Sequence, residues 1–467
     1  MKRTKIVATL GPATENKETL EKLVRAGLNV VRLNMSHGTY EEHRKKIELV
    51  REVEESTGIK IPVLVDLCGP KIRIGKIENE PLFLHRGDTI ILTPEKEHEK
   101  GEIFVNYPYL DREVKIGETI LLADGAFRLK VKDVKEKKVI CEVVVGGPLT
   151  SHKGVNLPHS NLSIPALTEK DIEDVKFAVK EGADIIALSF VRKAADIIKL
   201  KNLLEELSAK NIPVVSKIEK PEAVENIDEI LEVTDFLMVA RGDLGVELPI
   251  EKVPVIQKTL IKKANRKGKA VITATQMLKS MVDMPIPTRA EVTDIANAVL
   301  DGTDALMLSE ETAVGKYPLK VIETMANVIK EAEKIYPFKR YEDIKPDSLQ
   351  DSLAKAACEL AKSGNIKAII AFTRTGATAL AVAKFRPKVP VFAVTHDIKT
   401  GRKLNLVWGV DSCLTTPVES TEKLIAVSIH AVKERGIAKI GDKVIVLAGA
   451  PTGVPGTTNL VKIVEVK

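Results

Sequence analysis

The stretch Pro213–Asp243 reads PVVSKIEKPEAVENIDEILEVTDFLMVARGD. Its two ends are β-branched or aliphatic runs typical of buried parallel strands, and apolar residues at helical spacing lie between them. It therefore predicts a strand–helix–strand unit. The predicted strand ends carry Lys217, Glu219, Arg241 and Asp243. In parallel α/β folds these ends line the site, where a base and two carboxylates can hold a divalent metal and an anionic substrate. The alternative is solvated charge where loops begin.

The same alternation of short apolar strands and amphipathic helices extends to both sides of this unit. Eight strands are predicted, at residues 5–10, 29–34, 61–67, 183–190, 213–218, 235–240, 270–275 and 305–309. Eight such units predict an α/β fold, a TIM (β/α)8 barrel.

The alternation is interrupted once and then followed by a second region. Short alternating strands separated by turn residues predict an inserted small β-barrel lid domain, with Gly75 and Gly146-Gly147-Pro148 as hinges. A charged linker after residue 337 leads into a C-terminal α/β region. The predicted domains are the discontinuous barrel at 1–73 and 157–338, the inserted domain at 74–156 and the C-terminal regulatory domain at 339–467.

A turn in the C-terminal region is a candidate phosphate-binding loop. It contains Thr373, Arg374, Thr375, Gly376 and Thr378 between a predicted strand and a predicted helix. Backbone N–H groups and hydroxyls in such a turn can bind the phosphate of an effector. An ordinary capped turn is the alternative.

Composition excludes several classes of function. The 467 residues include 71 Lys and Arg against 65 Asp and Glu, a net charge of +6, with no basic block, so we expect no nucleic-acid partner. The 4 cysteines are scattered, which fits a reducing cytosol. No signal peptide or apolar run of membrane-spanning length is visible, so we expect a cytoplasmic protein without a membrane partner.

Several motifs, all in order, resemble those of pyruvate kinases over essentially the whole chain. They are Arg32-Leu-Asn-Met-Ser-His37, Asp66 with Gly69-Pro70-Lys71-Ile72-Arg73, Lys217-Ile-Glu219, Ala240-Arg-Gly-Asp243-Leu-Gly, Ala274-Thr275-Gln-Met277, Pro287-Thr-Arg-Ala-Glu-Val-Thr-Asp-Ile-Ala-Asn, Asp301-Gly with Met307-Leu-Ser309, and Gly456-Thr-Thr-Asn. The resemblance implies Mg²⁺-dependent phosphoryl transfer from phosphoenolpyruvate to ADP, giving pyruvate and ATP in the final step of glycolysis. It also implies a homotetramer.

The resemblance assigns roles to the matching positions. Catalytic roles fall to Lys217, Arg32, Thr275, Ser309 and Glu311. The substrate would be bound by Arg32, Lys217, Gly242, Asp243 and Thr275, and the nucleotide by Asn34, Met35, Ser36, His37, Arg73 and Lys153. Glu219 and Asp243 would hold Mg²⁺, with Mn²⁺ as an accepted substitute. These types of residue suit the chemistry, because phosphoryl transfer needs positioning and positive charge, and Mg²⁺ prefers oxygen ligands.

Two departures from the family pattern concern a monovalent cation. In K⁺-dependent members the ion has ligands at positions that correspond to Asn34, Ser36, Asp66 and Leu67. Here Leu67 stands where many members carry Thr, and Lys71 where many carry Glu. An ammonium group at position 71 would repel a second cation and replace its charge. We therefore expect that K⁺ is not required; the alternative is that Lys71 points to solvent and K⁺ binds as usual.

Two other functions are compatible with parts of the pattern. A carbon–carbon lyase of the enolate TIM-barrel group also uses Mg²⁺ and carboxylates, but it needs no nucleotide lid and no counterpart of Arg73. Release of pyruvate that depends strictly on ADP separates the two. A non-catalytic effector-binding protein would be marked by loss of Lys217 or a metal carboxylate, and these are present.

Overall fold

The computed structural model describes residues 2–158, 160, 162–417, 420–449 and 458–467. Eight parallel strands form a closed barrel: Lys5–Thr9, Val30–Asn34, Val63–Asp66, Ile185–Leu188, Val214–Ile218, Phe236–Ala240, Ala270–Ala274 and Ala305–Leu308. The first strand pairs with both the second and the eighth, which closes the ring. The predicted TIM-barrel fold class is therefore confirmed, with strands slightly shorter than predicted.

Helices surround the barrel, and three of them begin with the same N-terminal capping motif. The barrel-side helices are Lys17–Ala26, Tyr40–Thr57, Glu169–Lys180, Ala194–Glu206, Pro221–Glu225, Ile227–Val233, Arg241–Glu247, Val253–Arg266, Arg289–Asp301, Glu310–Ala313 and Pro318–Glu333. Reciprocal capping boxes join Thr39 with Glu42, Thr168 with Asp171, and Thr288 with Glu291. Each box satisfies amide groups that the first helical turn would leave without partners. Within the described ranges, no helix combines the length and the apolar character needed to cross a membrane.

The strand–helix–strand unit Pro213–Asp243 differs from the prediction in two places. Its helix is split into Pro221–Glu225 and Ile227–Val233, because the chain leaves the helical conformation at Asn226. The side-chain amide of Asn226 donates a hydrogen bond to the Arg192 carbonyl oxygen at 3.0 Å, which ties this break to a neighbouring loop. The charged residues after the next strand open the helix Arg241–Glu247 instead of a loop.

The insertion after the third barrel strand is a β-domain with its own apolar core. Its strands are Leu82–Leu84, Thr89–Thr93, Glu102–Phe104, Thr119–Leu122, Phe127–Lys135, Lys138–Val145, Gly147–Leu149 and Val155–Asn156, with the short helix Leu110–Glu113. They form a six-stranded and a two-stranded sheet. Gly146-Gly147-Pro148, predicted as a hinge, lies inside the inserted domain, where Gly147–Leu149 pairs with Leu82–Leu84. A Cβ at Gly146 would collide with the Leu84 carbonyl oxygen, so this glycine permits close strand approach.

The C-terminal region is a five-stranded sheet flanked by helices. The strands are Ile366–Phe372, Val391–Thr395, Val410–Leu414, Lys443–Gly449 and Thr458–Glu465, and the helices are Leu349–Leu360, Ala377–Lys384, Ile398–Leu404 and Thr421–Glu434. This region shares one apolar core with the barrel. At the junction, the guanidinium group of Arg386 lies 4.8 Å from the ring centroid of Trp408 and pairs with Asp304 of the barrel at 2.9 Å.

Candidate active site

The ammonium group of Lys217 lies at the centre of a polar cluster at the carboxyl end of the barrel. Its Nζ is 2.9 Å from Glu219 Oε1 and 3.1 Å from Asp66 Oδ1, and it donates a hydrogen bond to Ser189 Oγ at 2.6 Å. Only 12% of the Lys217 side chain is exposed. Burial alone would lower the pKa of Lys217, but the carboxylates of Asp66 and Glu219 outweigh this effect and raise it. The lysine is therefore a fixed positive charge.

Asp66 is shared between two cations. Both Nε and Nη2 of Arg32 lie 2.7 Å from Asp66 Oδ2, and Arg32 Nη1 donates to Thr9 Oγ1 at 2.9 Å. Although burial would raise the pKa of Asp66, the charges of Lys217 and Arg32 lower it. The pair with Lys217 lacks hydrogen-bond alignment, so in the described part of the chain Asp66 Oδ1 has no hydrogen-bond donor of its own. Asp66 thus stays ionised and fixes both cations in place.

The buried Glu219 and the half-buried Asp243, which lines a cavity, form a pair of carboxylates with the chemistry of a cation site. The Phe190 N–H donates to Glu219 Oε2 at 2.7 Å, which orients this carboxylate. Burial raises the pKa of both groups, and the charge of Asp243 raises that of Glu219 further. Crowded carboxylates of this kind favour uptake of a divalent cation that takes oxygen ligands. In the ranges described above, no three His, Cys, Asp or Glu side chains group as a complete metal site.

Thr275 and Gly242 meet where two neighbouring strands end. The Gly242 N–H donates to Thr275 Oγ1 at 2.7 Å, and this hydroxyl donates to the Ala274 carbonyl oxygen at 2.6 Å. Thr275 has a positive φ of 73°, a strained conformation for a β-branched residue. The strand-end group Arg241 does not join the cluster: it donates to the Thr275 carbonyl oxygen at 2.7 Å and pairs with Asp294 at 2.7 Å. Arg241 therefore supports the Thr275 turn instead of supplying a free base.

Ser309 and Glu311 lie together after the last barrel strand. The Ser309 N–H donates to Glu311 Oε2 at 2.7 Å, and the Leu278 N–H donates to Glu311 Oε1 at 3.2 Å. The Glu311 side chain is buried. Both of its oxygens thus hold backbone amides, so Glu311 orients the turn that carries Ser309.

A cavity of about 530 Å³ separates the barrel from the inserted domain. Its lining includes the basic side chains Lys71, Arg73 and Lys153, together with Asp243. Arg73 Nη1 donates to the His152 carbonyl oxygen at 2.9 Å, which ties the entry to the domain to its exit. The basic lining suits a phosphorylated ligand.

The predicted nucleotide residues from Asn34 to His37 form a turn that does not itself line this cavity but contacts Lys71, which does. Ser36 Oγ accepts a hydrogen bond from Lys71 Nζ at 3.1 Å. The Met35 side chain is buried, and its carbonyl oxygen accepts from Lys170 Nζ at 2.9 Å, so Met35 contributes through its backbone. Burial lowers the pKa of His37, and the charge of Lys71 lowers it further, which keeps the imidazole neutral near pH 7.

The predicted effector loop lies beside a second cavity, of about 350 Å³, between the C-terminal region and the barrel. Arg374 and Thr375 line it, whereas Thr373 Oγ1 accepts from the Gly376 N–H at 2.8 Å. The Thr378 hydroxyl is also engaged, at 2.8 Å from Thr458 Oγ1. The Gly456 and Thr457 positions of the last motif lie outside the described residues.

Sequence reasoning missed three residues that contact or influence the cluster. Ser189 and Phe190 follow the strand Ile185–Leu188, and Asp124 of the inserted domain raises the pKa of Asp243. The position of Ser189 and Phe190 at the carboxyl end of a barrel strand was an available signal. The contribution of Asp124 depends on how the inserted domain folds over the barrel, which no local pattern contains.

The fold and this site together define a class: barrel enzymes that transfer phosphoryl groups with the help of a metal ion. The chain belongs to the pyruvate kinase family. The family model "Pyruvate kinase, barrel domain" matches residues 1–322, and "Pyruvate kinase, alpha/beta domain" matches residues 351–464. Transfer of the phosphoryl group from phosphoenolpyruvate to ADP, which yields pyruvate and ATP in glycolysis, is the reaction of this family, and its members use a divalent metal.

Individual pyruvate kinases are similar to this protein in sequence and in structure over almost the whole chain. Pyruvate kinases of Staphylococcus aureus strains MRSA252 and USA300 are 45% identical over 470 aligned residues, covering 99% of this chain and 80% of theirs. A solved pyruvate kinase from Cryptosporidium parvum is 36% identical, with a TM-score of 0.95 over 100% of this chain and 96% of its own. The predicted family and reaction are confirmed, and the lyase and non-catalytic alternatives are set aside.

Proposed function

We propose that the cluster around Lys217 transfers the phosphoryl group, with the roles that the motifs assign. The observation that carries this proposal is the position of the Lys217 ammonium, 2.9 Å from Glu219 and 3.1 Å from Asp66 in a buried setting. A fixed cation there stabilises the negative charge that develops on the transferring group and on the enolate. Arg32, anchored by Asp66, binds the phosphoryl oxygens from the other side.

The substrate carboxylate is proposed to bind the N–H groups of Gly242 and Asp243 and the hydroxyl of Thr275. The Gly242 N–H is now satisfied by Thr275 Oγ1. An arriving carboxylate takes this donor over and releases the Thr275 hydroxyl. Thr275 and Ser309 then hold the water that delivers a proton to the enolate carbon, while Glu311 fixes the Ser309 turn through its backbone amide.

Glu219 and Asp243 are the proposed ligands of Mg²⁺, with Mn²⁺ as a substitute. When bound, the divalent ion neutralises and orients the carboxylate and phosphoryl oxygens of the substrate. Lys217 and the Phe190 N–H keep the Glu219 carboxylate oriented towards the proposed Mg²⁺ site.

ADP is proposed to bind in the cavity between the barrel and the inserted domain. Asn34, Met35, Ser36, His37, Arg73 and Lys153 are its proposed contacts. The basic lining of that cavity supports this assignment. Closure of the inserted domain would exclude water, which otherwise competes with ADP for the phosphoryl group.

K⁺ is proposed to be unnecessary, because each of its expected ligands already has a partner. Asn34 Oδ1 accepts from the Ser36 N–H at 3.1 Å, and Ser36 Oγ accepts from Lys71 Nζ at 3.1 Å. Asp66 is paired with Arg32 and Lys217. The Leu67 carbonyl oxygen accepts from Ser189 Oγ at 2.7 Å. These contacts support the view that protein cations replace the ion.

Three further proposals depend on the family resemblance. A phosphorylated effector is proposed to bind near Arg374 and Thr375, and Lys399 and Lys403 in the same cavity support an anionic ligand. A homotetramer and a cytoplasmic location are proposed as well. Light scattering of the purified protein tests the homotetramer, and fractionation of the native cells tests the cytoplasmic location.

The catalytic proposal is tested by measuring pyruvate release from phosphoenolpyruvate with Mg²⁺, in the presence and absence of ADP. Release is expected only with ADP and should fall by about 10²–10³ in Lys217→Met. The matched control is Lys263→Met, which removes an exposed lysine paired with Asp228 at 2.7 Å and should change little. Release without ADP, or a Lys217→Met variant within tenfold of wild type, contradicts the proposal.

A further inference from the structure

One carboxylate oxygen of Glu247 accepts hydrogen bonds from two donors that lie in different parts of the molecule. Lys220 Nζ lies 2.7 Å from Glu247 Oε1, and Asn156 Nδ2 donates to the same oxygen at 2.9 Å. The side chains of Lys220 and Glu247 are 11% and 1% exposed. Within the described ranges, Glu247 Oε2 is buried without a hydrogen-bond partner. The orientation of the carboxylate therefore depends on its two contacts at Oε1.

These three residues belong to the elements that carry the two proposed metal ligands and the inserted domain. Lys220 directly follows Glu219 at the end of a barrel strand. Glu247 closes the helix Arg241–Glu247, four residues after Asp243, and so lies on the same face of that helix. Asn156 is the last residue of the last strand of the inserted domain.

The contacts limit how these elements can move relative to one another. A shift of the helix Arg241–Glu247 carries Asp243 and Glu247 together, because one turn of helix moves as a unit. The Lys220–Glu247 pair opposes such a shift, since separating buried opposite charges leaves each without compensation. The separation of Glu219 and Asp243 is therefore coupled to this pair, and Asn156 extends the coupling to the inserted domain.

We propose that Lys220 and Glu247 are positioning residues that set the spacing of the two metal carboxylates, and that Asn156 connects this spacing to the inserted domain. The proposal rests on the metal role given above to Glu219 and Asp243. Outer contacts that orient metal ligands commonly change metal affinity by about 10- to 100-fold when they are removed.

Whether metal affinity rises or falls when the Lys220 charge is removed separates a positioning role from a simple charge effect. Removal of the Lys220 charge makes the surroundings more negative and, by Coulomb attraction alone, strengthens binding of a cation. Loss of the correct spacing between the Glu219 and Asp243 carboxylates weakens cation binding instead. A purely structural ion pair lowers the melting temperature but leaves the metal affinity of the folded protein unchanged.

The experiment is a titration of the nucleotide-free, substrate-free full chain with Mn²⁺, with bound ion followed by electron paramagnetic resonance. Lys220→Met is expected to raise the Mn²⁺ Kd by about tenfold or more. Lys220→Arg, which keeps the charge, should stay within about threefold of wild type, and the exposed control Lys263→Met should not change. An unchanged or lower Kd in Lys220→Met overturns the proposal.

Asn156 is tested by the same titration together with steady-state kinetics. Asn156→Ala should leave the Mn²⁺ Kd within about twofold, because the Lys220–Glu247 pair remains, but raise the KM for ADP by about tenfold. An unchanged KM removes Asn156 from the proposal.

A double variant covers the case in which Lys220→Met does not fold. Lys220→Met with Glu247→Leu replaces the buried pair by apolar groups, an exchange that commonly preserves folding. It changes no net charge, so weaker Mn²⁺ binding supports positioning and wild-type binding overturns it. Asp243→Asn tests the proposed metal site separately from the positioning role of Lys220. If this variant binds Mn²⁺ like wild type, the proposal that Asp243 is a metal ligand fails. If it loses Mn²⁺ binding, that proposal stands, whatever the result for the Lys220 variants.

Discussion

Exchange of Lys71 for Glu, together with Leu67 for Thr, should convert this enzyme to one that K⁺ activates. The Lys71 ammonium donates to Ser36 Oγ at 3.1 Å, and its charge is felt at both Asp243 and His37. Its removal takes a positive charge away from the place where the phosphoryl group is proposed to lie. The new Glu and Thr would supply oxygen ligands in its stead.

The size of the effect follows from the exposed position of Lys71. A unit charge that acts across about 6 Å at an effective dielectric constant of about 20 contributes ~3 kcal/mol, or roughly a hundredfold in rate. Leu67 is fully buried, so its exchange for Thr also places a hydroxyl in the core and should cost ~2 kcal/mol of stability. The melting temperature must therefore be measured beside the rate, with Leu67→Thr alone as the control.

The assay compares turnover in K⁺ with turnover in a bulky tetraalkylammonium salt at equal ionic strength. Wild type should differ by less than about threefold, and the double variant should lose roughly a hundredfold without K⁺ and recover most of it with K⁺. Lys71→Met should lose activity without recovery, since it creates no ligand. A hundredfold drop of the wild type in the absence of K⁺ refutes the reasoning.

Three further predictions concern buried charges. Lys217→Met should destabilise the metal-free protein by about 3–5 kcal/mol because it leaves the buried Glu219 without a cation and Asp66 with Arg32 alone, and a melting curve with and without Mn²⁺ should show partial recovery by the ion. The raised pKa values of Glu219 and Asp243 mean that the folded, metal-free protein holds protons which the unfolded chain releases, so its stability should fall as the pH rises above the ordinary pKa values of 3.8 for Asp and 4.5 for Glu. Metal affinity should rise over the same window, with proton release visible by calorimetry in buffers of different ionisation enthalpy; a pH-independent affinity would count against the pair. Arg386→Met should lower the free energy of unfolding by about 3–5 kcal/mol in denaturant titrations because Asp304 loses its buried partner, and a loss below 1 kcal/mol would contradict that account.

The barrel could be predicted because its strands are buried on both faces and read as continuous apolar runs. The run FLMVA at Phe236–Ala240 is an example, and all of its residues are buried. The convergence of Lys217, Glu219 and Asp243 also followed, since the carboxyl ends of parallel strands meet at one end of the barrel. By contrast, the strand Val410–Leu414 reads VDSCL, whose polar residues gave no strand signal; it is specified by pairing with Val391–Thr395.

What the sequence could not supply were the long-range partners of charged side chains. Arg241 stands at a strand end like Lys217, yet it pairs with Asp294, which lies 53 positions further along the chain. Glu311 looks like a free carboxylate in the sequence, but its oxygens hold two backbone amides. In both cases the outcome depends on which donors the tertiary fold brings within hydrogen-bond distance, and residue type alone leaves this open.

The balance of charge at the barrel mouth gives a physical reason for the exchange at position 71. Arg32, Lys217 and Lys71 act on a cluster whose carboxylates are Asp66, Glu219 and Asp243. Protein cations and anions thus offset one another, and a divalent ion adds the positive excess that an anionic substrate needs. With Glu at position 71 the same cluster would be two charges more negative, and the substrate would be repelled unless a further cation entered. We therefore propose that Glu at this position would create a requirement for K⁺, and that Lys71 removes this requirement.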